Sequence, residues 1–183
     1  QNYERWVSTG AFGTGSLFID FDPKVGLRYR CLNLKDTFLL ENHQGAIDTV
    51  YRCFKYTARQ AAQRWGEKML PERVLKALES PQRQNDKFDF LHVVMPRGDM
   101  ERGRVDARGK PFASYYISVA DKMMVAPEGG YTSFPYSISR YVTAPEEVYG
   151  RSPAMMALPD IKMLNEMAKT DIRAVHKLID PPI

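Results

Sequence analysis

The stretch YGRSPAMMALPDIKMLNEM, Tyr149 to Met167, decides how the chain divides. A loop that looks built to stop the chain runs into a helix with Pro159 in its second turn. Ser152 suits an N-cap, because its hydroxyl can accept from an unpaired N–H of the first turn. Pro153 suits the first helical position, where a missing N–H costs nothing. Pro159 either kinks this helix or ends a first short one. Asp160 can then open the second piece, with its negative charge at a helix N-terminus. From Ile161 to Ile179 the spacing predicts a regular helix, and Asp180-Pro181-Pro182-Ile183 predicts a sharp stop. At about 100° per residue, Lys162, Lys169, Arg173 and Lys177 share a band roughly 80° wide. Met163, Leu164, Met167, Ala168, Ile172, Val175 and Leu178 fill the other side. On charge alone the band is a solvated face, with Glu166 paired to Lys162 or Lys169. The sharper reading is a basic rail facing a polyanion. Arg151, at the helix mouth, is placed to hold an anion. Most loop arginines are structural or solvated, so an anchor to Glu146 or Glu147 is the expectation.

Upstream of this stretch the pattern is strand-rich. Asn2 to Ser8 reads as the tail of a helix, which the glycines of TGAFGTG break. SLFIDFD, GLRYRCLNL and DTFLLE are short strands, with DPKVG as the turn between the first two. IDTVYRCFKY is a long fourth strand. Val50, Arg52, Phe54 and Tyr56 share one of its faces; Tyr51, Cys53 and Lys55 share the other. Both faces mix polar and apolar residues, which predicts a sheet packed on both sides.

A helical insertion follows at about residues 57–80. Thr57 caps ARQAAQRW, Gly66 stops it, and LPERVLKALES starts with Pro71 in its first turn. KFDFLHVVMPR, FASYYISVA, KMMVAP and YSISRYV resume the sheet, with EGGYTSFP as a hairpin-like turn. RGDMERGRVDARGKP is charged and glycine-rich, an exposed and mobile loop. The expected class is therefore α+β. A largely antiparallel sheet or small barrel with a helical insertion fills 1–151, and the C-terminal helix fills 152–183.

The composition excludes more than it selects. Hydrophobic residues at 44% and charged residues at 26% are those of an ordinary globular protein. No run of about 18 apolar residues occurs, so no membrane partner is expected. No basic n-region followed by an apolar stretch opens the chain. It starts at Gln1, which predicts a processed product or part of a longer one. The net charge of +4 permits contact with a polyanion without establishing it. Cys31 and Cys53 are expected as reduced thiols.

Catalytic patterns are missing. His43, His92 and His176 have no Cys, His or Asp at metal-ligand spacing, so neither a metal nor a cofactor is expected. His92 reads as a hydrogen-bonded histidine within the sheet. Asp20 and Asp22 share a strand face; a turn entry is the expectation, with divalent-ion binding the alternative. GAFGTG ends a helix and opens a strand, the reverse of a dinucleotide loop. No G-x-S-x-G occurs, and neither cysteine has a local base. The tripeptide Arg97-Gly98-Asp99 is read as chance. No catalytic residue is assigned, and an enzyme is the weaker reading.

The opening stretch, with several others in order, resembles the bacteriophage head-to-tail connecting, or portal, proteins of short-tailed phages. Tyr149, Gly150, Arg151, Pro153 and Ala154 match the family's signature block, with Ser152 in place of the usual glycine. Ala157 to Lys162, with Leu164 and Asn165, match its continuation. FGTGSLFID, IDTVYRCFKYTARQAAQRWG, FLHVVMPR and FPYSISRY look similar and come in the family's order. The resemblance covers nearly the whole chain.

It implies a homo-oligomeric ring, typically a dodecamer, at one capsid vertex. Double-stranded DNA would pass nonspecifically through that ring during packaging and ejection. The partners implied are the terminase motor, tail adaptors, capsid and scaffolding proteins. The place implied is the virion, after assembly in the host bacterial cytoplasm. Residues 1–151 correspond to the wing, and the helix from about Asp160 to the first stem helix. Family members are much longer. A clip, a returning stem helix, a tunnel loop and a crown would follow residue 183, so a fragment, a proteolysed product or an incomplete subunit is expected. Tyr149, Gly150, Arg151, Pro153, Pro159 and Asp160 then form a joint, and Lys162, Lys169, Arg173 and Lys177 are candidates to face the DNA. A stand-alone nucleic-acid-binding module with a basic helix is the alternative. A hydrolase using Asp20, Asp22 and Arg151 is a third.

Overall fold

The computed structural model of the chain describes residues 1–22 and 25–179. Two antiparallel sheets and four helices account for it, an α+β arrangement as expected. Helix α1 (Asn2–Phe12) leads into β1 (Thr14–Asp22), which forms a hairpin with β2 (Gly26–Leu32). Part of the expected DPKVG turn lies outside the described residues. β3 (Thr37–Glu41) and β4 (Ile47–Thr57) form a second hairpin. Helices α2 (Ala58–Trp65) and α3 (Glu72–Glu79) follow. Then come β5 (Lys87–Pro96), β6 (Phe112–Ser118), β7 (Met123–Met124), β8 (Gly129–Tyr131), β9 (Tyr136–Arg140) and α4 (Pro153–Ile179). The small sheet has the order β2-β1-β9; the large one has β3-β4-β5-β6-β7, with β8 also paired to β6.

One face of the large sheet carries both cores. Register places Val50 opposite Val94, Arg52 opposite His92, Phe54 opposite Phe90 and Tyr56 opposite Phe88, all on that face. At one end, Leu39, Val50 and Val94 pack with Phe18, Leu32 and Tyr136 of the small sheet. At the other, Phe88 and Phe90 pack with Ala58, Ala61, Leu70, Val74 and Ala77 of the helical insertion. α1 covers the outer face of the small sheet: the Arg5 guanidinium donates to the Ser137 hydroxyl at 2.9 Å, and the Thr9 and Ser139 hydroxyls meet at 2.8 Å.

The insertion folds where its caps say. Thr57 and Gln60 form a reciprocal capping box, and Gly66 ends α2. Pro71 stands at the N-cap of α3. His92 is fully buried. Its ring nitrogens bond the Ser114 and Tyr136 hydroxyls, both at 3.0 Å. Cys31 and Cys53 are free thiols.

Several sequence expectations are corrected. α1 runs past Ser8 and through Gly10 to Phe12, because the cap in the left-handed conformation is Gly13. The expected packing on both sheet faces holds only in part: on the opposite face Val93 and Ala113 are buried, whereas Phe38 and Leu40 of the edge strand β3 are 53% and 49% exposed. Apolar residues on both faces of a strand marked burial in the sequence, but on the edge strand one of those faces is left exposed. KMMVAP contributes only the two residues of β7, and the expected EGGYTSFP turn contains strand β8, paired to β6. The charged loop is knit by ion pairs of Arg104 with Glu101 and Asp106. The side chain of Arg97, in the RGD tripeptide, is buried and paired with Glu128 and Asp99. α4 runs unbroken through Pro159, so no separate short helix ends there. The expected stop at 180–183 lies outside the described residues.

Candidate functional site

Two sequence-distant segments close on one another at the start of α4. Gly13 has φ 79°, a left-handed conformation that favours glycine. A Cβ on Gly13 would lie 1.9 Å from the Gly150 carbonyl oxygen, and one on Gly150 would lie 2.3 Å from the Gly13 oxygen. Only bare backbones fit there. The Gly150 N–H donates to the Thr14 hydroxyl at 2.8 Å, and the Tyr141 N–H to the Gly13 carbonyl at 2.9 Å. The Arg151 N–H donates to the Val142 carbonyl at 2.6 Å, extending the pairing beyond β9.

Ser152, fully buried, works in two directions. Its hydroxyl donates to the Ala11 carbonyl of α1 at 2.9 Å and accepts from the Met155 N–H at 2.9 Å. The same group thus caps α4 and fastens it to α1. Pro153 is the first residue of α4. The Tyr149 hydroxyl accepts from the Leu39 N–H at 3.1 Å, tying the segment to the large sheet. The Arg151 guanidinium forks onto both Glu147 oxygens, at 2.9 and 2.6 Å, and stays exposed. It is the expected anchor, with Glu147 chosen over Glu146. The donating guanidinium and the accepting carboxylate explain each other's direction of shift: bonding to Arg151 holds Glu147 below the usual carboxylate range, and bonding to Glu147 raises Arg151.

α4 leaves this joint almost uncovered. None of its 27 residues is buried. Met163, Leu164, Met167 and Ile172 are each more than half exposed. Pro159, Asp160, Lys162, Lys169, Arg173 and Lys177 are exposed as well. Lys169 pairs with Glu166 at 2.6 Å, part of the solvated-face expectation. Lys162, Arg173 and Lys177 carry no ion pair among the described residues. Asp20 and Asp22 do not form a catalytic or metal cluster with Arg151. Asp22 pairs with Arg28 at 3.4 Å, and Asp20 accepts from the Phe21 N–H. No group of three His, Cys, Asp or Glu residues gathers as a metal site among the described residues. No helix among them is long and apolar enough to cross a membrane.

The sequence marked Tyr149 to Pro153 and the Phe12 to Gly15 region separately. That they are one joint depends on contacts spanning most of the chain, which local pattern does not carry.

A family model described as bacteriophage head to tail connecting protein matches residues 5–183. The chain is similar to a portal protein of Salmonella phage epsilon15, 28% identical over 97% of the chain and 32% of that relative. It is also similar to a probable portal protein of Bordetella phage BPP-1, 29% identical over 99% of the chain and 33% of that relative. The chain thus spans about a third of the length of these curated relatives.

Proposed function

Because this chain belongs to the bacteriophage head to tail connecting protein family, we propose that it supplies the wing and first stem helix of a portal subunit. Residues 1–151 form the wing-like part, with the helical insertion at about 57–80. Residues 152–183 carry the helix that leads toward a clip. The observation that carries this reading is α4 itself: a long helix with an apolar side and no buried residue. An apolar stripe of that length is stable in water only when something covers it. Neighbouring copies in a closed ring provide that cover by symmetry.

The subunit acts as structure rather than as a catalyst. In a ring, typically a dodecamer, the band of Lys162, Lys169, Arg173 and Lys177 repeats into a positive collar around the channel. DNA must slide during packaging and ejection, so contacts should be weak, directed to phosphate and blind to sequence. Few charges per copy meet that need; many would grip. The joint from Tyr149 to Asp160 sets how the stem leaves the wing. The assembled ring docks the terminase motor, the tail adaptors, and the capsid and scaffolding proteins. Its place is the portal vertex of the virion, after assembly in the host bacterial cytoplasm.

Changing Lys162, Lys169, Arg173 and Lys177 together to Glu in the full-length protein tests the collar. Rings should still form while DNA packaging falls at least tenfold. Packaging at the unchanged level would contradict the assignment.

A further inference from the structure

Four arginines line one cavity of about 180 Å³ between the small sheet, the large sheet and α2. They are Arg28 and Arg30 of β2, Arg52 of β4 and Arg64 of α2. The cavity sits where the small sheet and the helical insertion part company above their shared face. Asp20 supplies its one lining carboxylate. That carboxylate accepts from the Phe21 N–H and pairs with none of the four among the described residues. Arg28 is paired with Asp22.

Arg30, Arg52 and Arg64 have no carboxylate partner among the described residues. Arg64 donates to the Tyr56 and Tyr116 hydroxyls at 3.2 and 2.9 Å. Arg52 lies 5.0 Å from the centre of the Phe54 ring. Burial lowers Arg52 below its ordinary value, and the nearby charge of Arg30 adds to that. Burial raises the Tyr56 phenol, but Arg64 and Arg30 outweigh it and bring it below its usual value. Like charges gathered in a partly enclosed space repel one another, and an anion among them reverses the sign of that energy. Guanidinium forks match the oxygen spacing of phosphate and carboxylate.

We infer that this cavity binds a phosphate-sized oxyanion, held by Arg30, Arg52 and Arg64 with Arg28 beside them. The bound oxyanion bridges β2, β4 and α2, so it fastens the helical insertion to both sheets. The site lies apart from the joint and from the α4 band, and it does not depend on the portal reading. Local pattern gave no sign of it, because its arginines come from three elements and meet only in the fold.

The test is thermal unfolding of the full-length protein in inorganic phosphate against chloride at equal ionic strength. A ligand bound only by the native state raises the midpoint in a saturable way. Arg30→Gln and Arg52→Gln should each weaken the apparent phosphate affinity at least about tenfold, the loss of one charge-assisted bond. Arg30 is exposed on its strand, so that variant keeps the test open where the Arg52 variant folds poorly. Lys76→Gln on α3, outside the cavity lining, should leave the affinity unchanged. A midpoint that never saturates, or undiminished phosphate affinity in Arg30→Gln, would overturn the site. Displacement of phosphate by a short duplex DNA, lost in Arg30→Gln, would overturn the small-oxyanion assignment in favour of a backbone phosphate.

Discussion

Gly13 and Gly150 meet backbone to backbone, and the cost of a methyl group there follows directly. Gly13→Ala adds a left-handed penalty of about 1–2 kcal/mol before any clash. The clash is with a carbonyl and not with a flexible side-chain end. We expect Gly13→Ala and Gly150→Ala each to lower stability by more than about 2 kcal/mol, measured by chemical denaturation. Ser152→Ala should cost about 1–2 kcal/mol, since one hydroxyl both caps α4 and holds α1. Arg151→Ala should move stability within experimental error, because its pair with Glu147 is exposed to water. A large loss in Arg151→Ala with none in Ser152→Ala would contradict this ranking.

His92 gives a pH dependence. Burial, with the charges of Arg52 and Arg64 behind it, pushes His92 down to about 3 from an ordinary 6.5. The unfolded chain therefore takes a proton that the folded one refuses. The resulting stability is complete above about pH 6.5 and is lost progressively as pH falls from there toward 3. His92→Gln should remove a slope of about 1.4 kcal/mol per pH unit in that window, read from urea unfolding at several pH values. Equal slopes in the two proteins would contradict it.

At the scale of elements, the sequence was most readable where local chemistry decides the outcome. Thr57 and Gly66 bounded α2 because caps act through neighbouring N–H and carbonyl groups. Ser152 and Pro153 opened α4 for the same reason. What local pattern missed was pairing and cover. β8 is three residues long, and its strand character comes from its place beside β6. Phe38 and Leu40 read as core in the sequence but stand exposed on the edge strand β3. The joint and the arginine cavity were hidden for a related reason: their parts are far apart along the chain. α4 itself carries a prediction. With an apolar side exposed along its length, its amides should exchange quickly in dissociated subunits. Assembly should slow them at least about a hundredfold in hydrogen-exchange measurements, as burial of the stripe stabilises the helix. Exchange that is equally fast in both states would show that α4 is not the contact element.

At the scale of the molecule, α1 and α4 carry about half of the exposed large apolar residues among the described residues. α1 exposes Tyr3 at 78% and Trp6 at 65%, and α4 exposes apolar residues from Met155 to Ile179. The two helices are fastened to each other through Ser152 and the Ala11 carbonyl. A chain with this surface fits a repeated neighbour better than free solution. As proposed above, the chain would be part of a ring-forming portal subunit with α4 directed to a central channel. Electron microscopy of the full-length protein tests it most directly. The account predicts closed rings with a central hole, and α4 placed at the channel wall with Lys162, Arg173 and Lys177 facing inward. Full-length protein that remains a monodisperse monomer, or rings in which α4 lies on the outer rim, would contradict it.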